Sequence, residues 1–346
     1  MDEMMNKTFM KELLTCISVS GKEKAIQQII YEYMKDVCED SRMDASKTLI
    51  SVLNAKAKQK VLLCAHVDEI GFYVNRIYPD GTLGVIKAGG AHPILYLGTH
   101  VQIVGKELIH GVVICNKMLE TKGTIVSDDL RIDIGCDTKE ESEKVVSLGD
   151  VVCAAVDMQE LQKNRFAARA IDDRGGAFII LEAVRKAKEM GASVGMYAAT
   201  TTGEETTRRG AFHAVKAVKP DCAIIVDVTF ASDYQGVQNN EGGDISLGKG
   251  AVLCHSSIVN EAMNKRMETL AKQHGIAYQW EVTPGFTSTD GDTIHMSNEG
   301  VPICLVSLPL RYMHSSIETA DWKDVESCID LIAAFLCSLD SAFSYL

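Results

Sequence analysis

Val61-Leu62-Leu63-Cys64-Ala65-His66-Val67-Asp68 runs through five apolar residues and ends on an imidazole and a carboxylate. An apolar run without polar alternation marks a strand buried on both faces, as in a parallel sheet covered by helices. Alternation along that strand puts His66 and Asp68 on one side, projecting from its end into a common site.

Working outward, four further clusters stand where strands are expected to stop: Ile171-Asp172-Asp173-Arg174, Gly203-Glu204-Glu205, Val226-Asp227-Val228 and Arg311-Tyr312-Met313-His314. Singly, each has a plain explanation. A lone histidine is more often a hydrogen-bonded structural residue, adjacent acids are usually a solvated loop, and Asp172-Asp173 before a helix suits an N-cap. Together they supply two imidazoles and several carboxylates, with no cysteine, a donor set for two divalent ions sharing one carboxylate. Such a pair, held roughly 3.5–4 Å apart, polarises one water. A further carboxylate outside the ligand set must then take its proton, and an acid behind a ligating histidine fixes the ring tautomer. That combination is built for hydrolysis.

The rest of the chain frames this site. Helical spacing covers residues 9–34, broken at Ser18-Val19-Ser20-Gly21. Strand and helix patterns alternate after residue 165: helices at 175–190, 211–218, 260–273, 292–298 and 322–339, strands at 194–200, 223–226, 278–281 and 301–308. The expected fold is α/β, a mostly parallel sheet flanked by helices, whose ligands sit at the carboxyl ends of the strands. From about residue 71 to 165, short β-like runs (83–86, 101–104, 111–115, 151–155) with glycine turns predict a small inserted β-rich domain, with one charged helical stretch at 139–146.

Composition narrows the partners. A formal net charge of −12 argues against nucleic acid and anionic membranes. Eleven cysteines, dispersed from Cys16 to Cys337 and never in a C-x-x-C pair, read as free thiols of a reducing compartment. The start Met1-Asp2-Glu3 lacks a basic signal region, and no window reaches 18 apolar residues. A cytoplasmic protein without membrane or nucleic-acid partners is expected.

Ala65-His66-Val67-Asp68-Glu69-Ile70-Gly71-Phe72, Ala170-Ile171-Asp172-Asp173-Arg174, Glu204-Glu205, Asp227-Val228-Thr229 and Leu310-Arg311-Tyr312-Met313-His314-Ser315 resemble the motifs of the M42 metallo-aminopeptidases. Ser18-Val19-Ser20-Gly21-Lys22-Glu23 and Leu247-Gly248-Lys249-Gly250 extend the resemblance over essentially the whole chain. It implies a zinc-peptidase-like domain over 1–72 and 164–346, with a β-barrel domain over 73–163 used in subunit contacts. It implies one ion on His66 and Asp227, a second on Glu205 and His314, and Asp172 as the bridge. Glu204 would be the general base and Asp68 the acid orienting His66. The ions would be zinc or cobalt, with manganese also suited. A cis peptide bond after Asp172, peptide substrates and a homo-oligomer, in many relatives a dodecamer, are implied as well.

Two stretches depart from that pattern. Thr206-Thr207-Arg208-Arg209 replaces a common Val-Gly step, and Ser288-Thr289-Asp290-Gly291 replaces Gly-Thr-Asp-Ala. Both bear on side-chain preference: Arg208 and Arg209 suit acidic substrates, or are simply solvated. Other readings are the same chemistry on another amide (a deacylase or dipeptidase) and a non-catalytic metal-binding assembly subunit. An endoglucanase, a label some members carry, needs two free carboxylates across a sugar bond. Gly191-Ala192-Ser193-Val194-Gly195 matches G-x-S-x-G, but a helix precedes it and a strand follows, the reverse of a serine-hydrolase turn.

Overall fold

The computed structural model describes residues 6–237, 242–340 and 343–345; the start Met1-Asp2-Glu3 lies outside them. Helix α1 (Lys7–Thr15) is capped by Asn6, whose side chain accepts the Phe9 N–H, and buries Phe9, Met10, Leu13 and Leu14. After the expected break, α2 (Lys24–Met34) buries Ile26, Ile30 and Met34. A hairpin of β1 (Asp40–Met43) and β2 (Leu49–Leu53) follows, then β3 (Lys60–His66). Strand β3 is buried along nearly its whole length, as its apolar run requires.

The chain then leaves the sheet. Strands β4 (Gly71–Ile77), β5 (Leu83–Ala88), β6 (His100–Val104), β7 (Leu108–Val113), β8 (Arg131–Asp133) and β9 (Val151–Ala154) close an antiparallel barrel in the order β4-β5-β8-β7-β6-β9. Phe72, Val74, Val85, Val101, Ile103, Ile132 and Val152 fill it. Short helices α3 (Lys117–Glu120) and α4 (Lys139–Val145) lie within its connections. Strand β4 is hidden from periodicity because its register shifts between Val74 and Arg76, which breaks the alternation.

The return passes through β10 (Gln159–Glu160) and β11 (Arg165–Ala168) into α5 (Ile171–Glu189). Next come β12 (Gly195–Thr201), α6 (Arg209–Val218), β13 (Cys222–Phe230), β14 (Ala251–His255), α7 (Glu261–His274) and β15 (Tyr278–Val282). Then α8 (Asp290–His295), β16 (Ile303–Leu310), β17 (Glu318–Asp321) and α9 (Trp322–Ser338) complete the chain. Gly191–Gly195 joins α5 to β12, so Ser193 follows a helix and precedes a strand.

The main sheet has eight strands in the order β1-β2-β12-β3-β13-β16-β14-β15. Its centre, β12, β3, β13 and β16, is parallel; β2 and β14 join antiparallel on either side. A smaller antiparallel sheet holds β10, β11 and β17. Residues on α1, α2, α5, α7 and α9 pack one face of the main sheet with Leu63, Ile224, Val226 and Val306. Residues on α6 and α8 pack the other with Leu62, Ile225, Ile303 and Leu305. Each fully buried aliphatic side chain contributes roughly 1.5–3 kcal/mol. Among the described residues no helix is long and apolar enough to cross a membrane.

One buried ion-pair cluster ties the barrel's two chain ends together. Glu69, just before β4, pairs with Arg169 and, at 2.6 Å, with Arg174. Arg174 also donates to the Leu13 carbonyl and to Ser18 Oγ, fixing the break between α1 and α2.

Candidate active site

The parallel strands deliver side chains to one end of the sheet. His66 is the last residue of β3, Glu204 and Glu205 follow β12, Asp227 lies inside β13, and His314 follows β16. Two residues depart from the strand-end expectation: Asp227, because β13 runs on to Phe230, and Asp172, because β11, in the small sheet, leads into it at the start of α5. Here α5 is not yet regular. Asp172 (ψ 106°) and Asp173 (φ −120°, ψ 35°) leave helical geometry, and the Asp172–Asp173 bond is cis.

Asp172 stands at the centre. Its Oδ1 lies 3.1 Å from His66 Nε2 and its Oδ2 lies 3.2 Å from His314 Nε2, so each carboxylate oxygen faces a different imidazole. Glu205 Oε1 is 3.9 Å from His314 Nε2 and, though buried, has no hydrogen-bond partner. Donor atoms of His66, Asp172 and Glu205 lie within 4.8 Å of one another, and so do those of His66, Asp173 and Asp227. The structure therefore brings together His66, Asp172, Glu204, Glu205, Asp227 and His314 around one cleft of about 440 Å³.

Charge is badly balanced there. Burial would raise the Asp172 carboxyl, but His314 and His66 outweigh it and hold it below the usual range. Burial opposes protonation of His66, yet Asp172 and Asp68 push it up. Glu205 and Asp227 are pushed well up by burial, and the Asp172 charge adds to both. Glu204 is raised by burial and relieved in part by His66 and Arg208. Buried carboxylates in excess of cations, with an orphaned oxygen among them, fit divalent cations, which imidazole and carboxylate donors both suit.

Neighbouring groups hold these side chains. His66 Nδ1 is 3.1 Å from the Asp68 backbone oxygen and 3.6 Å from its carboxylate. The Asp68 carboxylate instead accepts the N–H groups of Glu204 (3.0 Å) and Glu205 (3.3 Å), clamping the loop after β12. Asp173 accepts the N–H of His66 at 3.2 Å and of Gly176 at 3.1 Å. A Cβ at residue 176 would stand 2.2 Å from Asp173 Oδ1, so the contact requires glycine. Glu318, unmarked by any motif, accepts the N–H of both Asp172 (3.1 Å) and His314 (3.2 Å). Gly90, in the barrel, is pressed against His314: a Cβ there would lie 2.5 Å from Nδ1.

The two departing stretches meet. Arg208 donates to Glu204 (2.9 Å) and to Asp292 (2.8 Å), while Asp292 also accepts the N–H groups of Thr287 and Ser288. Arg209 turns away to Glu23 at 2.9 Å. Both guanidiniums are thus engaged by carboxylates of the chain itself.

The M42 glutamyl aminopeptidase family matches residues 48–331, and the chain belongs to that family. It is 32% identical to a lysyl aminopeptidase of Pyrococcus furiosus over 96% of this chain and 97% of that one. Two solved structures superpose closely. A TET aminopeptidase of the marine sediment archaeon Thaumarchaeota archaeon SCGC AB-539-E09 gives a TM-score of 0.90 at 28% identity, over 97% of this chain and 96% of that one. The TET1 peptidase of Pyrococcus horikoshii, which can assemble into a tetrahedron or a large octahedral shell, gives 0.86 at 28% identity, over 96% and 99%. The protein is a peptidase of the hydrolase class with an aminopeptidase fold.

Proposed function

We propose that this protein removes N-terminal residues from peptides with two divalent ions, zinc or cobalt, with manganese also suited. One observation carries the reading: the two oxygens of Asp172 face separate imidazoles, and Glu204, outside both donor groups, lies beside them in the cleft. His66 and Asp227 would hold one ion, Glu205 and His314 the other, and Asp172 would be shared. Bound there, such ions supply Lewis-acid polarisation of water and of the scissile carbonyl.

The protein's own groups do the rest. Glu204 takes the proton from the attacking water and passes it to the leaving amine. The Arg208 guanidinium holds one Glu204 oxygen, and Asp68 fixes the backbone on which Glu204 and Glu205 sit. Asp68 also backs the His66 ring. Gly90 closes the barrel side of the site against His314. Hydrolysis of aminoacyl-p-nitroanilides with added zinc or cobalt tests the scheme. Glu204→Gln should keep its metal and lose roughly 10²–10⁴-fold in kcat. Full activity in a metal-loaded Glu204→Gln protein would show that Glu204 is not the base.

Assembly into a homo-oligomer, up to a dodecamer, is part of the same reading. It is supported by the likeness to the Pyrococcus horikoshii TET1 peptidase and by apolar residues exposed on the barrel, Ile94, Leu95 and Met118. The free cysteines fit a reducing, cytoplasmic setting.

A further inference from the structure

The relatives' names carry both an acidic and a basic preference, so the choice for this chain has to come from its cleft. Asp227 pairs in register with Ser307, Ser307 with Val252, and Cys254 with Glu281, across β13, β16, β14 and β15. Alternation puts Asp227, Ser307, Cys254 and Glu281 on the sheet face that α6 and α8 cover. Asp227, Thr229 and Glu281 line the cleft together. The floor therefore runs from a proposed metal ligand to a carboxylate.

Two charged side chains border this floor away from the donor groups, and they differ in what they have left to offer. Arg208 is committed on two sides, to Glu204 and to Asp292. Glu281 is only 8% exposed and is held by two hydroxyls and a thiol: Thr229 Oγ1 donates to Oε2 at 2.5 Å, Ser307 Oγ to Oε1 at 3.4 Å, and the buried Cys254 thiol also bonds to it. Among the described residues no cation acts on it, and burial pushes its carboxyl up. A buried carboxylate whose bonded neighbours are all uncharged gains most from a partner that brings a positive charge. Thr283, Thr287 and Thr289 add polar lining and Phe230, Leu305 and Met313 apolar lining, a mixture that suits a long aliphatic stem ending in a cation.

We propose that the cleft takes the side chain of a basic first residue, lysine or arginine, with Glu281 as its charge partner. This rests on the aminopeptidase reading. It makes Glu281 a specificity-determining residue and gives Thr229 and Ser307 the task of orienting its two oxygens.

The test compares lysyl-, arginyl-, methionyl- and glutamyl-p-nitroanilides on the metal-loaded protein. Lysine and arginine should exceed methionine in kcat/KM by about 10- to 100-fold, the range expected for a buried charge partner. Glu281→Gln should bring the lysine-to-methionine ratio near unity, and Glu281→Asp should retain part of it. Independently of any variant, calorimetry on the metal-loaded wild type should show lysine binding at least about 10-fold tighter than norleucine, its uncharged counterpart. A glutamyl preference, an unchanged ratio in a folded Glu281→Gln protein, or equal lysine and norleucine binding would each overturn the proposal. Absence of hydrolysis on every substrate would count against the aminopeptidase reading, while the binding comparison would still decide the cleft.

Discussion

Glu318 takes two backbone N–H groups, one from Asp172 and one from His314, residues separated by most of the catalytic half of the chain. Removing its carboxylate strands two buried donors at a cost of about 1–3 kcal/mol each. Glu318→Ala should therefore lower metal affinity by about 10- to 100-fold, read by calorimetric titration with zinc. Glu318→Gln, which keeps one acceptor, should lose less. Gly90→Ala pushes a methyl into His314, so metal analysis should show loss of zinc first from the position proposed for Glu205 and His314. Equal occupancy in wild type and variant would show that His314 does not hold an ion. The ligand candidates are legible in the sequence because His66 and Asp227 follow local apolar runs, Asp172 and Glu205 stand in pairs of acids, and His314 supplies the second imidazole. Glu318 and Gly90 are not, since one acts through main-chain contacts far apart in sequence and the other through the absence of a side chain.

At the level of elements, the apolar runs of β3, β12, β13 and β16 and the periodicity of α5, α7 and α9 are readable directly, each within a few residues of its observed span. Strands β1 and β14 and the start of α5 are not. Strand β1 is a mostly exposed edge without alternation. The sequence pattern starts α5 at residue 175, and Asp172 and Asp173, which precede it, leave helical geometry. Helix α9 shows how an element end organises a turn: Asp324 accepts the N–H groups of Gly248 and Gly250 at 2.7 and 2.6 Å. Burial nevertheless pushes its carboxyl up to about 7, the two N–H groups only partly offsetting it. A carboxyl raised on folding contributes stability below its unfolded value, and that contribution is lost as pH climbs through the folded one. The melting temperature of the wild type should accordingly fall between about pH 4 and pH 7 relative to Asp324→Asn. Parallel profiles for the two proteins would remove Asp324 as the source.

For the molecule as a whole, the crowd of buried carboxylates would make a bound metal part of the folding balance. Chelation should lower the melting temperature, and zinc at about 1,000 times Kd should restore roughly 4 kcal/mol per site. Identical melting curves with and without chelator would contradict the metal assignment. On the barrel, Ile94→Lys with Met118→Lys should shrink the assembly, as measured by sedimentation, if those side chains meet a neighbour; an unchanged mass would place the contacts elsewhere. The α/β half was legible because buried parallel strands leave continuous apolar runs. The barrel was legible only as a change of texture, because its strands are short and one is bulged. The two halves are nonetheless geared together. The barrel's chain departs just after Glu69 and returns through Arg169, which clasp each other. His66 lies three residues before the first and Asp172 three after the second. If the barrel meets a neighbouring subunit and the cleft holds two ions, as proposed, a push on the barrel would reach both His66 and Asp172 through these two short levers, and assembly and ion spacing would share one mechanical linkage.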